Sequence, residues 1–234
     1  MVHTRNLVAG LILSVCSAGS AVARPIEDGQ AAFQRGDYAT ALRLLRPLAD
    51  QGIAQAEHFL GLMYLKGKGV PRDVAEAAKW LRLAADQGNV VTQFLLGEMY
   101  VDGQDVPQNS AEGVKWLRRL ADQVGDLATV AQIRLGGIYY LGEGVPEDDA
   151  EAAKWFRRAA DRGSALAQAT LASMYSMGHG VPQDYVLAHM WSNLSAASGD
   201  SNSSKLRENL EVLMTPEQIA EAQRLAREWK PKPR

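Results

Sequence analysis

Tryptophan is scarce in this chain, and its placement decides what the chain can fold into. Four of the five tryptophans follow a tyrosine by 16 residues: Tyr64 and Trp80, Tyr100 and Trp116, Tyr139 and Trp155, Tyr175 and Trp191. The tyrosines recur at intervals of 36, 39 and 36 residues. A fixed period of this length marks a structural repeat. The surroundings repeat with it. Leu60-Gly61, Leu96-Gly97 and Leu135-Gly136 precede the tyrosines, with Leu171-Ala172 in the fourth unit. Gly67-Lys68-Gly69-Val70-Pro71 follows the first tyrosine, and related runs end at Pro107, Pro146 and Pro182.

One unit can be read physically. Ala56, Leu60 and Tyr64 are four apart, which puts them on one stripe of a first helix. Gly61 removes a side chain where a neighbouring helix must come close. Gly67 and Gly69 end the helix and allow left-handed backbone in the turn. Asp73 then starts a second helix as N-cap with Glu76 three residues on, a capping-box pattern that Asn109 with Glu112 and Asp148 with Glu151 repeat. Glu76–Lys79, Glu112–Lys115 and Glu151–Lys154 are solvated i,i+3 pairs. Ala77, Trp80, Leu81 and Ala84 form the buried stripe of the second helix. A lone helix pair cannot bury such a stripe, so the units must stack. The second unit departs from the pattern: it has Gly113 where others have alanine and extra residues around Val124 to Val130, a place where the stack is expected to loosen or bend.

The recurring L-G-x-x-Y, G-x-G-V and A-x-x-W-x-x-x-A-A-x-x-G elements resemble the Sel-1-like repeat family, a relative of the tetratricopeptide repeat, over residues 54 to 199. The resemblance implies an all-α fold, a right-handed α-solenoid of stacked antiparallel helix pairs. Repeats are expected at 54–90, 91–129, 130–165 and 166–200. Residues 24–53, with Gly36-Asp37-Tyr38, read as a tetratricopeptide-like pair capping the array. Residues 201–229 read as C-terminal capping helices, the last begun by Thr215, Pro216 and Gln218 and carrying an Ile219, Ala222, Ala226, Trp229 stripe. Residues 230–234 are expected to be a disordered tail.

Residues 1–23 read as a secretory signal. His3 and Arg5 give a polar, positive start, Leu7 to Val15 is a short apolar run, and Ala21-Val22-Ala23 supplies the cleavage site. The expected product is periplasmic or secreted. An uncleaved anchor is one alternative. A lipoprotein attached at Cys16 is another, disfavoured by branched Val15. Cys16 is the only cysteine, so cleavage leaves a chain held together by packing rather than disulfides. No other apolar run is long enough to cross a bilayer as a helix. A net charge of −2 gives no basic field to attract nucleic acid or anionic lipid.

No cofactor, metal or catalytic centre is expected. His58 falls on a first helix, His179 in a turn and His189 on a second helix. None has zinc-ligand spacing, and each reads as a polar surface or turn residue. The Gly-x-Gly turns lack the Gly-Lys-Ser/Thr and flanking strand of a phosphate loop. Ser201, Ser203 and Ser204 lack a nucleophile-elbow context. The family resemblance implies that the first helices line a concave, partner-binding face. Its positions here are His58, Leu62 and Lys66; Phe94, Glu98 and Val101; Ile133 and Tyr140; Ser173 and Met177. The expected role is an adaptor or scaffold for a protein or peptide. Alternatives are cell-wall or β-lactam ligand binding or hydrolysis, as in a cysteine-rich branch whose paired cysteines this chain lacks, and inhibitory control of a membrane sensor kinase.

Overall fold

The computed structural model describes residues 24–233, and the expected signal segment with Cys16 lies outside them. The described residues form helices and turns, with no strand. The helices are α1 (24–34), α2 (Tyr38–Asp50), α3 (Ala54–Lys66), α4 (Val74–Asp86), α5 (Val90–Asp102) and α6 (Ser110–Ala121). They continue as α7 (Asp126–Leu141), α8 (Asp149–Asp161), α9 (Ala165–Met177), α10 (Tyr185–Ala197), α11 (Ser201–Glu211) and α12 (Pro216–Glu228). Two compact units divide the chain at Thr92–Gln93, in the first turn of α5.

In unit 1, α2 packs on α3 and α3 on α4, around Leu45, Leu60, Met63 and Trp80. In unit 2, α6 packs on α7, α7 on α8, α8 on α9 and α9 on α10, with α11 and α12 closing against α10. The glycine before each repeated tyrosine is the contact point within a pair. A Cβ on Gly61 would lie 2.7 Å from Leu81 Cγ, one on Gly97 2.6 Å from Leu117 Cγ, and one on Gly136 2.8 Å from the Phe156 ring.

The turn between paired helices is closed by the repeated tyrosine's own carbonyl. Asp73 N donates to Tyr64 O at 3.0 Å, Asn109 N to Tyr100 O at 2.8 Å, Asp148 N to Tyr139 O at 2.9 Å and Asp184 N to Tyr175 O at 2.9 Å. Each bond satisfies a carbonyl orphaned at the end of a first helix. It also alters the expected capping boxes. The N-cap side chains do accept from Glu76 N, Glu112 N and Glu151 N, but the N-cap N–H already serves the tyrosine carbonyl. The first and third glutamates turn to tryptophan instead: Trp80 Nε1 donates to Glu76 at 2.8 Å and Trp155 Nε1 to Glu151 at 3.1 Å. In the fourth unit Leu187 takes the glutamate's place, and Trp191 Nε1 has no partner.

An arginine from the preceding helix pair completes each cluster that can be described within one unit. Arg46 donates to Tyr64 Oη at 3.1 Å and lies 5.7 Å from the Trp80 ring centre. Arg118 donates to Tyr139 Oη at 2.9 Å and to Glu151 at 2.8 Å, and lies 5.5 Å from the Trp155 ring centre. Arg157 donates to Tyr175 Oη at 3.3 Å and lies 5.1 Å from the Trp191 ring centre. Tyrosine and tryptophan therefore present one surface on which the previous pair's guanidinium is laid.

Gly113 is a site of close approach, since a Cβ there would sit 2.7 Å from both Gly97 O and Val101 Cγ2. The extra residues are absorbed as about one more helical turn, α7 running 16 residues where α3 and α9 run 13. At the C-terminus, Thr215 and Gln218 do form the reciprocal capping box, and Ala222 packs with Ala188, Leu210 and Met214. The segment expected to hang free instead lies along the array. Trp229 meets Trp191 edge-on at 6.2 Å, Lys232 N donates to Asp161 O at 2.7 Å, and Lys232 Nζ pairs with the Asp161 carboxylate at 2.7 Å. An aromatic anchor with a backbone bond behind it orders a tail whose composition alone reads as loose.

Adjacent glycines in α7 separate packing from propensity. Gly136 faces Phe156, whereas a Cβ on Gly137 would meet nothing within 4 Å. Gly136→Ala should therefore cost about 1–3 kcal/mol through overpacking. Gly137→Ala should gain roughly 1 kcal/mol of helix propensity. Urea denaturation of the two variants gives the comparison directly.

Candidate partner-binding surfaces

The expected face is best followed unit by unit. In unit 1, Leu62 is half-buried and Lys66 exposed. His58, expected at the surface, is only 8% exposed, and its Nδ1 lies 2.8 Å from Thr92 Oγ1. Burial holds the His58 imidazole below its ordinary pKa. The other helical histidine is also not a surface residue: His189 is fully buried, with Nε2 3.1 Å from Glu211. Periodicity places both histidines on helices but cannot distinguish a solvated face from a polar contact inside the packing.

In unit 2, Phe94, Glu98, Ile133, Tyr140 and Ser173 are half-buried and Met177 is exposed. Val101 is 2% exposed and packs over Gly113, so it belongs to the α5–α6 interface and offers no area to a partner. Ile133 and Tyr140 rest against the core formed by α8, α9 and α10 and show only part of their surface. Glu98, Gly137 and Ser173 occupy matching repeat positions on α5, α7 and α9, and Phe94 and Ile133 lie one turn earlier. The open space over Gly137 marks a low point in this strip.

Beside it stands a charge cluster absent from the sequence reading. Arg134 on α7 reaches Glu98 at 3.0 Å and Asp102 at 3.1 Å, both on α5, and also pairs with Glu143 in the turn after α7. Three carboxylates share one guanidinium, so the cluster keeps an excess of negative charge. Burial pushes the Glu98 carboxyl above its ordinary pKa, with the Arg134 charge pulling the other way. The sequence signal was available in principle: Arg134 replaces an apolar or polar uncharged residue at a first-helix position, Phe59, Leu95 or Thr170 in the other repeats.

A second missed feature is structural. Glu57, Gln93, Gln132 and Gln168 hold one repeat position near the start of each first helix, and all are buried. Gln132 donates to Ala121 O at 2.8 Å and Gln168 to Ala160 O at 3.3 Å, capping the end of the preceding second helix from outside. Gln93 accepts from Gln123 at 2.7 Å and Glu57 from Gln87 at 2.7 Å. Only the first unit carries a carboxyl here, and burial raises its pKa.

Among the described residues, no group of three or more His, Cys, Asp or Glu side chains could hold a metal ion, and no helix is long and apolar enough to cross a membrane. The N-cap turn and the tyrosine–tryptophan pair recur from repeat to repeat, while other positions of the first helices vary. That recurrence defines a helical-repeat protein.

The Sel1 repeat matches at residues 26–53, 54–89, 90–124, 129–164 and 165–200, and the chain belongs to the Sel1 repeat family. The N-terminal pair, read above as a cap, is matched as a repeat in its own right. No curated protein matches the chain. Among solved structures, the chain is similar to c5321, a protective antigen of uropathogenic Escherichia coli displaying an SLR fold. That match has 32% identity and a TM-score of 0.69, over 91% of this chain and 47% of that one. It is also similar to a Sel1 repeat protein from Oxalobacter formigenes, with 35% identity and a TM-score of 0.58, over 73% of this chain and 49% of that one. The chain thus spans about half the length of each relative.

Glu57 yields a pH test. Its pKa is raised on folding, so the native state binds the proton more tightly than the unfolded chain. Stability should fall as pH rises from the ordinary glutamate value through the raised native value, and then level off. Glu57→Gln restores the residue of the other repeats. It should abolish that fall and stabilise the protein at pH 7 by about 1 kcal/mol, as read from urea denaturation at a series of pH values.

Proposed function

We propose that this chain is an exported adaptor that binds a protein or peptide partner on the first-helix face of unit 2. The observation that carries this reading is the distribution of exposed apolar side chains. Leu141, 63% exposed, lies on α7, and Met177, 50% exposed, closes α9. Val130 and Leu166 stand exposed near the starts of the same two helices. The half-buried Phe94 and Ile133 and the open position at Gly137 lie on the first helices between these ends. Exposed apolar side chains at matching positions of α7 and α9, beside a charged cluster, have the composition of an interaction surface.

Membership of the Sel1 repeat family supports the protein–protein character of the role. Export rests on the residues of the N-terminal segment: a positive start, a short apolar run and the Ala21-Val22-Ala23 site. Fractionation of cells expressing the full chain should place it outside the cytoplasm with Arg24 as its first residue, and recovery of the uncleaved chain in the cytoplasm would contradict export.

The surface is tested by a charge-introducing pair at exposed positions, Leu141→Glu with Met177→Glu. Affinity purification of the wild type in its native host should recover a defined partner, and the double variant should hold it at least about 10-fold less, roughly 1.4 kcal/mol of binding. The melting temperature should stay within about 2 °C of the wild type. Equal partner recovery by both proteins would place the interface elsewhere.

A further inference from the structure

The junction between the third and fourth repeats is closed by a segment from outside the repeats. Between α6 and α8, one junction earlier, the contact is made by arginines of the later helix. Arg158 Nη2 donates to Asp122 Oδ1 at 2.7 Å and to Ala121 O at 3.2 Å, and Arg162 Nη2 donates to Gln123 O at 2.9 Å. The matching positions of α10 are Leu194 and Ser198, which carry no charge. Asp161, the counterpart of Asp122, is served by Lys232 instead. The Lys232 backbone N–H donates to Asp161 O at 2.7 Å, and its ammonium donates to Asp161 Oδ2 at 2.7 Å. Lys232 thus satisfies an orphan carbonyl and supplies the counter-charge, as Arg158 does one junction earlier.

The segment leaves space beneath it. A cleft of about 450 Å³ is lined by Trp229, Pro231 and Lys232 of the segment together with Gly163, Gln168 and Leu194. Trp229 leaves α12 at φ −64° and ψ 138°, polyproline II geometry. Pro231 and Pro233 hold the residues before them out of the helical region. Trp229 meets Trp191 edge-on at 6.2 Å. The segment is therefore seated as a bound peptide is, with an aromatic anchor, an extended backbone and a lysine three residues on. Its grip at Asp161 is open to competition. The Lys232 side chain is 70% exposed, and an exposed ion pair is weak and screened by salt. Arg157 also reaches Asp161, at 3.7 Å within α8.

We propose that this cleft is a docking site for a basic segment of a partner protein, with lysine or arginine three residues after an aromatic in extended backbone, and that residues 229–232 hold it shut in cis. Asp161 supplies both halves of the recognition: a carboxylate for the cation and a carbonyl for the backbone N–H beside it. A docked arginine would repeat what Arg158 does at Asp122. An acidic segment would meet the Asp161 carboxylate as a like charge. The tethered segment competes at millimolar effective concentration, so the closed chain admits a free segment poorly. The cleft is built from the ends of α8 and α10 and the start of α9, without Leu141 or Met177. It stands or falls separately from that surface.

The test compares the wild type with the full chain carrying Trp229→Ala and Lys232→Ala, which opens the cleft. The probe is acetyl-Trp-Lys-Pro-Lys-amide, and acetyl-Trp-Glu-Pro-Glu-amide is its charge-reversed control. Titration calorimetry gives affinity, and the ¹⁵N resonances of Gly163 and the Gln168 side-chain amide give location. The basic probe should shift both resonances in the open variant and bind the wild type at least about 10-fold more weakly. Adding Asp161→Asn to the open variant should weaken binding about 5-fold. Adding Leu194→Arg, which restores the arginine of the preceding junction, should abolish it. No binding of the basic probe to the open variant would overturn the proposal. So would equal binding to the wild type, equal binding of the acidic probe, or indifference to Asp161→Asn. Dimerisation of the open variant in sedimentation equilibrium would also overturn it, by assigning the cleft to a second copy. If Trp229→Ala prevents folding, Lys232→Ala alone and the Asp161→Asn comparison still decide.

Discussion

Between one helix pair and the next, an arginine lies against a tyrosine and a tryptophan that its own pair does not contain. Arg46, Arg118 and Arg157 each donate to a tyrosine hydroxyl and sit within 6 Å of a tryptophan ring belonging to the following pair. Helix pairs of this kind cannot bury their own apolar stripe, so the contact between pairs carries the fold. Packing alone would join them, but alanine-rich faces are forgiving about register. A planar guanidinium that must meet a phenol oxygen and an indole face together fixes the relative position of neighbouring pairs more tightly than alanines can.

The 16-residue spacing follows from this arrangement. The tyrosine ends the first helix, and its carbonyl takes the N–H of the residue that starts the second. The tryptophan then lies about two turns into the second helix, where its ring and the tyrosine's meet the same guanidinium. In two units the glutamate one turn earlier accepts the indole N–H. Tyrosine carbonyl, N-cap, glutamate and tryptophan form one connected set, so none can shift without disturbing the others.

Much of the interior was legible in the sequence because repetition makes residues compare themselves. Gly61, Gly97 and Gly136 were readable as points of close approach, and the helix starts at Asp73, Asn109 and Asp148 carried clear signals. The arginine of the cluster was not read, because it lies 18 or 21 residues before its tyrosine, in the preceding unit, among many solvated arginines. The expected capping boxes missed competition for the N-cap N–H, which a local pattern cannot reveal. His58, His189 and Val101 were misjudged in exposure for a common reason: helical phase places a residue on a face, but whether that face is covered depends on a neighbour distant in sequence. Arg134 and its carboxylates became visible only when α5, α7 and the following turn were brought together. The repeats therefore share one turn and one tyrosine–tryptophan pair, and the buried His58 with Thr92 and the half-buried Arg134 with Glu98 are where this chain differs from its own pattern.

The central claim is that the guanidinium couples one pair to the next through the aromatic rings. A double-mutant cycle with Arg118→Met, Trp155→Phe and the combined variant, measured by urea denaturation, tests it most directly. The two substitutions should be non-additive by about 1 kcal/mol or more, the range of a well-placed cation–aromatic contact reinforced by hydrogen bonds. Additivity within about 0.3 kcal/mol would show that arginine and tryptophan act independently, and that alanine packing alone sets the stack.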